Sequence, residues 1–205
     1  MRITHIALTL LIIGASGVSA PVQAQTPATY SIPTEAAPAN GPHASEINEF
    51  WDADKKQMPP TGAVLFIGSS SIKLWDSLAK DFPEIPVINR GFGGSLIEES
   101  TRYADRIVFP YKPKIIIMAA GTNDLAYGGK NSQAVFQEFK DFVDKVHPVL
   151  PDTRIVYISI NPTVSRWNQE AEILEANHLI EKYIFQNNTP TNKLNFINSH
   201  AALLT

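Results

Sequence analysis

Ala63-Val-Leu-Phe-Ile67, followed at once by Gly68-Ser69-Ser70-Ser71, is the stretch that decides the fold. Five apolar residues with no polar interruption fit a strand covered on both faces, as in a parallel sheet packed between helices. The glycine and serines make an abrupt polar exit, and beyond them Ile72, Trp75 and Leu78 recur at helical spacing. The same unit repeats down the chain. Pro86-Val-Ile88, Ile115-Ile-Ile-Met118, Arg154-Ile-Val-Tyr-Ile-Ser159 and Leu194 to Ile197 read as further strands. Between them, Leu96, Tyr103, Ala104 and Ile107 share one side of a segment that starts at Ser95 and ends at Pro110. Val135, Phe139, Phe142 and Val146 make a second stripe, stopped near Pro148, and Glu170 to Gln186 makes another helix. A leading helix carries Ile47, Phe50 and Trp51. Strand and helix in alternation predict an α/β domain with a parallel sheet of about five strands.

Composition sets the bounds. The 205 residues carry 17 Lys+Arg against 20 Asp+Glu, a net charge of −3, and 44% are hydrophobic. That suits one domain with a real core and excludes a wholly disordered chain. The mildly acidic balance argues against a nucleic-acid partner. With 0 Cys, disulfides, thiolate nucleophiles and Cys-based zinc sites are all excluded.

The N-terminus reads as an address. Arg2, the apolar run Ile6 to Ile13, and small residues leading to Val22-Gln23-Ala24 match a secretory signal peptide over residues 1–24. The run is interrupted by Gly14, Ser16 and Gly17, and is too short for the ~20 residues of a spanning helix. We therefore expect a periplasmic or secreted protein with no stable membrane span. Residues 25–42, rich in Pro, Ala and Thr without periodicity, read as a flexible arm. One domain is expected over residues 43–205.

Three polar loops each follow a predicted strand: Gly68-Ser69-Ser70-Ser71, Asn89-Arg90-Gly91-Phe92-Gly93-Gly94-Ser95, and Gly121-Thr122-Asn123-Asp124. In a parallel sheet all three leave the carboxyl edge, where open α/β sheets bind ligands. With strand order 2-1-3-4-5, the second and third loops flank the first and all three share one crevice. A serine at a strand-to-helix turn, a backbone N–H from a glycine loop and an Asn amide make one nucleophile and several donors, the set that acyl transfer needs. Plainer roles compete at each position. The serines of residues 69–71 also suit a helix N-cap. Ser95 with Glu98 fits a capping box. Asn123-Asp124 fits ordinary turn chemistry. Trp75 and Phe92 lie near the expected crevice but also suit a core.

Taken together the blocks resemble the SGNH hydrolases, the GDSL-like lipase/acylhydrolase family. Phe66-Ile-Gly68-Ser-Ser70-Ser-Ile72-Lys-Leu-Trp75 is similar to that family's first motif, with Ser69 where Asp is commonest. Asn89-Arg-Gly-Phe-Gly-Gly94-Ser95 is similar to the second, and Gly121-Thr-Asn123-Asp124 to the third. The resemblance runs from about Ala63 to Ile197. It implies a flavodoxin-like three-layer α/β/α sandwich, and ester hydrolysis without cofactor or metal. Ser70 would be the nucleophile, its N–H the first oxyanion donor, and the Gly94 N–H and the Asn123 amide the others.

One motif departs from the pattern. The family's Asp-x-x-His, which supplies the base, occurs nowhere in the 205 residues. His5 lies in the leader, His43 at the edge of the arm, and His147 at a helix end, where its cationic form would suit the helix dipole. His178 falls opposite the apolar side of its helix. His200 alone lies near the catalytic edge, beside Asn198 and Ser199 and without a carboxylate to orient it. We therefore expect the domain to be C-terminally incomplete and its activity impaired. The substrates implied are small acyl esters, lysophospholipids or acylated sugars. A competing reading is a non-catalytic module that holds a phosphate, a flavin or a carbohydrate. Gly91-Phe-Gly93-Gly94 fails the dinucleotide-binding spacing because position 96 is Leu, and there is no Walker loop. The sequence leaves the oligomeric state open.

Overall fold

The computed structural model describes residues 35, 37, 41–162 and 164–199, the side chains of 164–166 excepted. The leader, most of the arm and His200 lie outside the described residues. Five strands, β1 (Val64–Gly68), β2 (Val87–Gly91), β3 (Ile115–Ala119), β4 (Arg154–Ile158) and β5 (Leu194–Ile197), form a sheet in the order β2-β1-β3-β4-β5. All neighbouring pairs are parallel. Gly68 stands level with Gly91 on one side and Ala119 on the other, so the loops after β1, β2 and β3 leave the sheet at one height. This is the predicted three-layer α/β/α architecture.

Among the described residues eight α-helices surround the sheet: α1 (Ala44–Lys56), α2 (Ser70–Lys73), α3 (Leu78–Asp81), α4 (Ile97–Arg102), α5 (Ala104–Ile107), α6 (Thr122–Ala126), α7 (Ser132–Val146) and α8 (Glu170–Asn187). Side chains alternate across a strand, and the two faces are covered very differently. Leu65, Ile67, Ile116, Met118, Ile155 and Tyr157 turn into the main core, which takes Ile47 from α1, Ile97 from α4, Phe139 and Phe142 from α7, and Ile173 and Ile180 from α8. On the other face Phe66 packs with Ile72 and Leu78 from α2 and α3, and Ile117 is only half-buried.

Two predicted helices are interrupted. The segment after β1 is two single turns because the chain tightens at Trp75 and Asp76, whose N–H groups donate to Ile72 and Leu74. Asp81 then accepts from both the Trp75 indole and the Ser77 hydroxyl, local bonds that compete with a continuous helix. The segment after β2 breaks at Tyr103 and ends in a 3-10 turn, Phe109–Tyr111. The capping box is also displaced by one residue. The Leu96 N–H donates to Glu99 at 2.8 Å, while the Ser95 hydroxyl, fully buried, donates to the Gly68 carbonyl at 3.2 Å. His147 caps α7, but burial pushes its imidazole below the ordinary value, against the cationic form expected there. His178 is exposed, and Phe92 is core, with its ring against His43 and Tyr103. Within the segment read as an arm, Ala37 is buried and its N–H donates to Asn48. Among the described residues no helix is long and apolar enough to cross a membrane.

Candidate active site

The loop after β1 turns sharply because Gly68 lies at φ +140°, with the Ala119 carbonyl oxygen only 2.1 Å from where a Cβ would sit. No other residue fits there. The turn puts Ser69 at the cap and Ser70 at the first position of α2. Ser69 is buried and Ser70 exposed. The first N–H groups of a helix have no acceptor within it, and Ser70 and Ser71 stand at the head of α2. The turn is held from β2, which runs on to Gly91 and so takes in Asn89, expected in the loop: the Asn89 amide donates to the Ile72 carbonyl at 2.6 Å.

In the loop after β3, Gly121 caps α6 at φ +114°, and a Cβ there would lie 2.6 Å from Ile160. This close passage drops Asn123 and Asp124 into the protein, at 7% and 0% exposure. The Asn123 Nδ2 donates to the Ser95 carbonyl at 3.1 Å, which uses one of the two N–H groups of the amide. The Asp124 Oδ1 accepts the Ile97 N–H at 3.0 Å and so ties the third loop to the head of α4.

Ser70 and Asn123 line one cavity of about 560 Å³, together with Ser71, Ile72, Trp75 and Thr122. The third predicted site residue, Gly94, is not part of that lining. It is exposed and precedes Ser95, the residue that holds Asn123. The far wall comes from the loops after β4 and β5, which sequence reasoning missed: Ser159, Ile160 and Asn161, with Ser199. Here the Asn161 Nδ2 donates to the Ser199 hydroxyl at 2.8 Å, and the Ser199 N–H donates to Ser159 at 3.0 Å. The available signal was Ser159-Ile-Asn161, polar residues directly after an apolar strand. Among the described residues no histidine lines the cavity. His43 is engaged by Glu46 and Glu99, at 3.3 and 3.1 Å. Among the described residues no Lys or Arg lines it either. No group of His, Asp or Glu among the described residues could hold a metal ion.

A hydroxyl at a helix head facing a buried amide across a cavity is suited to attack on a carbonyl whose oxygen becomes negative. Comparison with known proteins agrees. The profile of the GDSL-like lipase/acylhydrolase family matches residues 68–192. No curated protein matches the sequence. Among solved structures, a GDSL-like lipase from Bacteroides thetaiotaomicron is 20% identical with a TM-score of 0.64, over 76% of this chain and 78% of that one. A family 3 carbohydrate esterase from Talaromyces cellulolyticus is 18% identical with a TM-score of 0.54, over 68% and 80%. At such identities these two likenesses concern the fold.

Proposed function

The chain belongs to the GDSL-like lipase/acylhydrolase family, and from that premise we propose that it hydrolyses small acyl esters with Ser70 as the nucleophile. The observation that carries this reading is the shared cavity: Ser70, at the head of the helix after β1, and Asn123, in the helix after β3, both line it. In the proposed reaction the Ser70 oxygen attacks the ester carbonyl, and the developing oxyanion is held by the Ser70 N–H and by the Asn123 N–H not used on Ser95. Gly94, one residue from that anchor, is the third donor in this reading. The alcohol leaves with the proton that Ser70 gives up, and water then adds to the acyl group, releasing it as the carboxylic acid and returning a proton to Ser70.

The lining favours a short acyl group on a polar alcohol, such as an acylated sugar, over a lysophospholipid. Ile72, Ile158 and Ile160 offer a small apolar surface, whereas Ser71, Thr122, Asn161 and Ser199 surround it with hydroxyls and amides. The Asn161 Oδ1 is buried without a hydrogen-bond donor among the described residues, an acceptor suited to a substrate hydroxyl. We place the reaction in the periplasm or outside the cell, on the reading of residues 1–24 as a leader.

The Asp-x-x-His motif occurs nowhere in the 205 residues, and on that ground we propose that their turnover is slow. Losing a triad histidine costs ~10⁶ in kcat, while an oxyanion hole and binding alone retain ~10³–10⁴ over water. The test is release of p-nitrophenol from p-nitrophenyl acetate by the 205-residue protein and by Ser70→Ala. We expect a rate above buffer that Ser70→Ala abolishes. Equal rates for the two proteins would refute Ser70 as the nucleophile.

A further inference from the structure

Next to Asn123 lies a group of charges that the proposed reaction does not use, with Asp124 fully buried and Glu138 and Lys130 partly so. Asp124 on α6 and Glu138 on α7 meet at Lys130, whose Nζ bonds the Glu138 Oε1 and lies 3.8 Å from the Asp124 Oδ1, and Asp124 stands close enough to Glu138 to raise its carboxyl. Each has one oxygen, Asp124 Oδ2 and Glu138 Oε2, that is buried with no donor among the described residues. Two carboxylates cannot donate to one another, and a single shared proton satisfies both orphaned oxygens. The other Asp124 oxygen receives the Ile97 N–H, at the head of the helix that follows the Gly94 loop. The pair therefore joins α7, the Asn123 turn and α4 at one point.

We propose that Glu138 is a positioning residue: by sharing one proton with Asp124 it clamps the Asn123 turn against the head of α4, and loss of that proton loosens the Asn123 side of the cavity. The functional weight of the clamp rests on Asn123 being an oxyanion donor.

The surroundings make the proton decisive. Lys130, in the turn before α7, is the one cation facing the pair among the described residues. It is bonded to Glu138 and lies 3.8 Å from Asp124 and 3.4 Å from Glu98 on α4. The Tyr157 hydroxyl on β4 lies close enough to feel both carboxyls, but it donates to the Ala120 carbonyl at 2.7 Å. From α8, Glu172 is taken by the Ser132 N–H at the head of α7. Deprotonating the pair thus leaves three carboxylates around one ammonium. Burial first, and then the neighbouring Asp124, push the Glu138 carboxyl up to about 7. The sign follows by linkage. Between the ordinary carboxyl range and about 7 the folded state holds a proton that the unfolded chain has released, so stability falls as pH rises through that window.

The test is NMR of the full 205-residue protein from pH 5 to 8.5, following the Glu138 carboxyl carbon, the Ile97 amide and the Asn123 side-chain amide. In the wild type all three are expected to move with one midpoint near neutrality. Hydrogen exchange of Ile97 should accelerate about tenfold more than its intrinsic pH dependence. In Glu138→Gln, which keeps an N–H for Asp124 but cannot ionise, Ile97 and Asn123 are expected to stay flat. If Glu138→Gln does not fold, Asp124→Asn replaces it, since it keeps the acceptor for Ile97, and the neutral midpoint should vanish there too. Flat Ile97 and Asn123 signals in the wild type, or the same titration in the variants, would overturn the proposal. The readout needs no turnover, so an inactive Ser70 would refute the esterase reading and leave this result standing.

Discussion

On one side of the cavity Ser70 stands exposed on a single helical turn, placed by Gly68 against the Ala119 carbonyl and by one amide bond from Asn89. On the other side Asn123 is sunk among Ser95, Ile97 and the Asp124–Glu138–Lys130 group. The Ser70 rim is thus held by backbone shape and the Asn123 rim by polar contacts. The division suits the proposed reaction. A nucleophile must reach substrate, so it cannot be wrapped in partners. A donor that meets developing charge works best when it is fixed beforehand and shielded from water.

The strongest way to break this contrast is Gly68→Ala. A methyl group there meets a backbone oxygen that cannot swing aside, and φ +140° is unfavourable to any residue with a Cβ. Overpacking and strain together should cost about 4 kcal/mol, read as a fall in Tm of roughly 8–16 °C for a domain of this size. An unchanged Tm would show that the Ser70 rim does not depend on backbone shape.

Asn123→Ala tests the opposite rim. Losing one oxyanion donor is expected to lower kcat about 10²–10³-fold, or ~2.7–4 kcal/mol of transition-state stabilisation, with KM little changed. The comparison is made on whatever Ser70-dependent rate the wild type shows. A change confined to KM would mean that Asn123 binds substrate without stabilising the oxyanion.

How much of this was legible in the sequence differs between the rims in the same way. The strands were readable because unbroken apolar runs such as Ala63 to Ile67 have few other homes, and the strand order brought Ser70 and Asn123 into one crevice. The support under Asn123 was not readable. Glu138 sits between Val135 and Phe139 as any surface residue of an amphipathic helix would, and nothing local marks it as buried against Asp124. Ser95 followed by Glu98 satisfies a capping pattern, yet the Gly68 carbonyl, distant in sequence, takes its hydroxyl. The wall of Ser159 and Asn161 was hidden because Ser159 reads as the end of an apolar strand. Local patterns reveal what backbone periodicity dictates, and non-local polar pairings leave little trace in them.

Ser95 is where the two rims touch, and it offers the finest test of their independence. Its hydroxyl donates to the Gly68 carbonyl on the Ser70 side, and its carbonyl accepts from Asn123 on the other. Ser95→Ala removes only the first bond. The Gly68 oxygen keeps the Phe92 N–H at 3.0 Å, so no orphaned acceptor remains, and the cost should be about 1 kcal/mol, or ~2–4 °C in Tm. Because the backbone bond to Asn123 survives, the Ser70-dependent rate should stay within about threefold of the wild type, which is under ~1 kcal/mol of barrier. A loss as deep as that of Asn123→Ala would mean that the oxyanion side takes its position from the Ser70 turn, and that the two rims form a single unit.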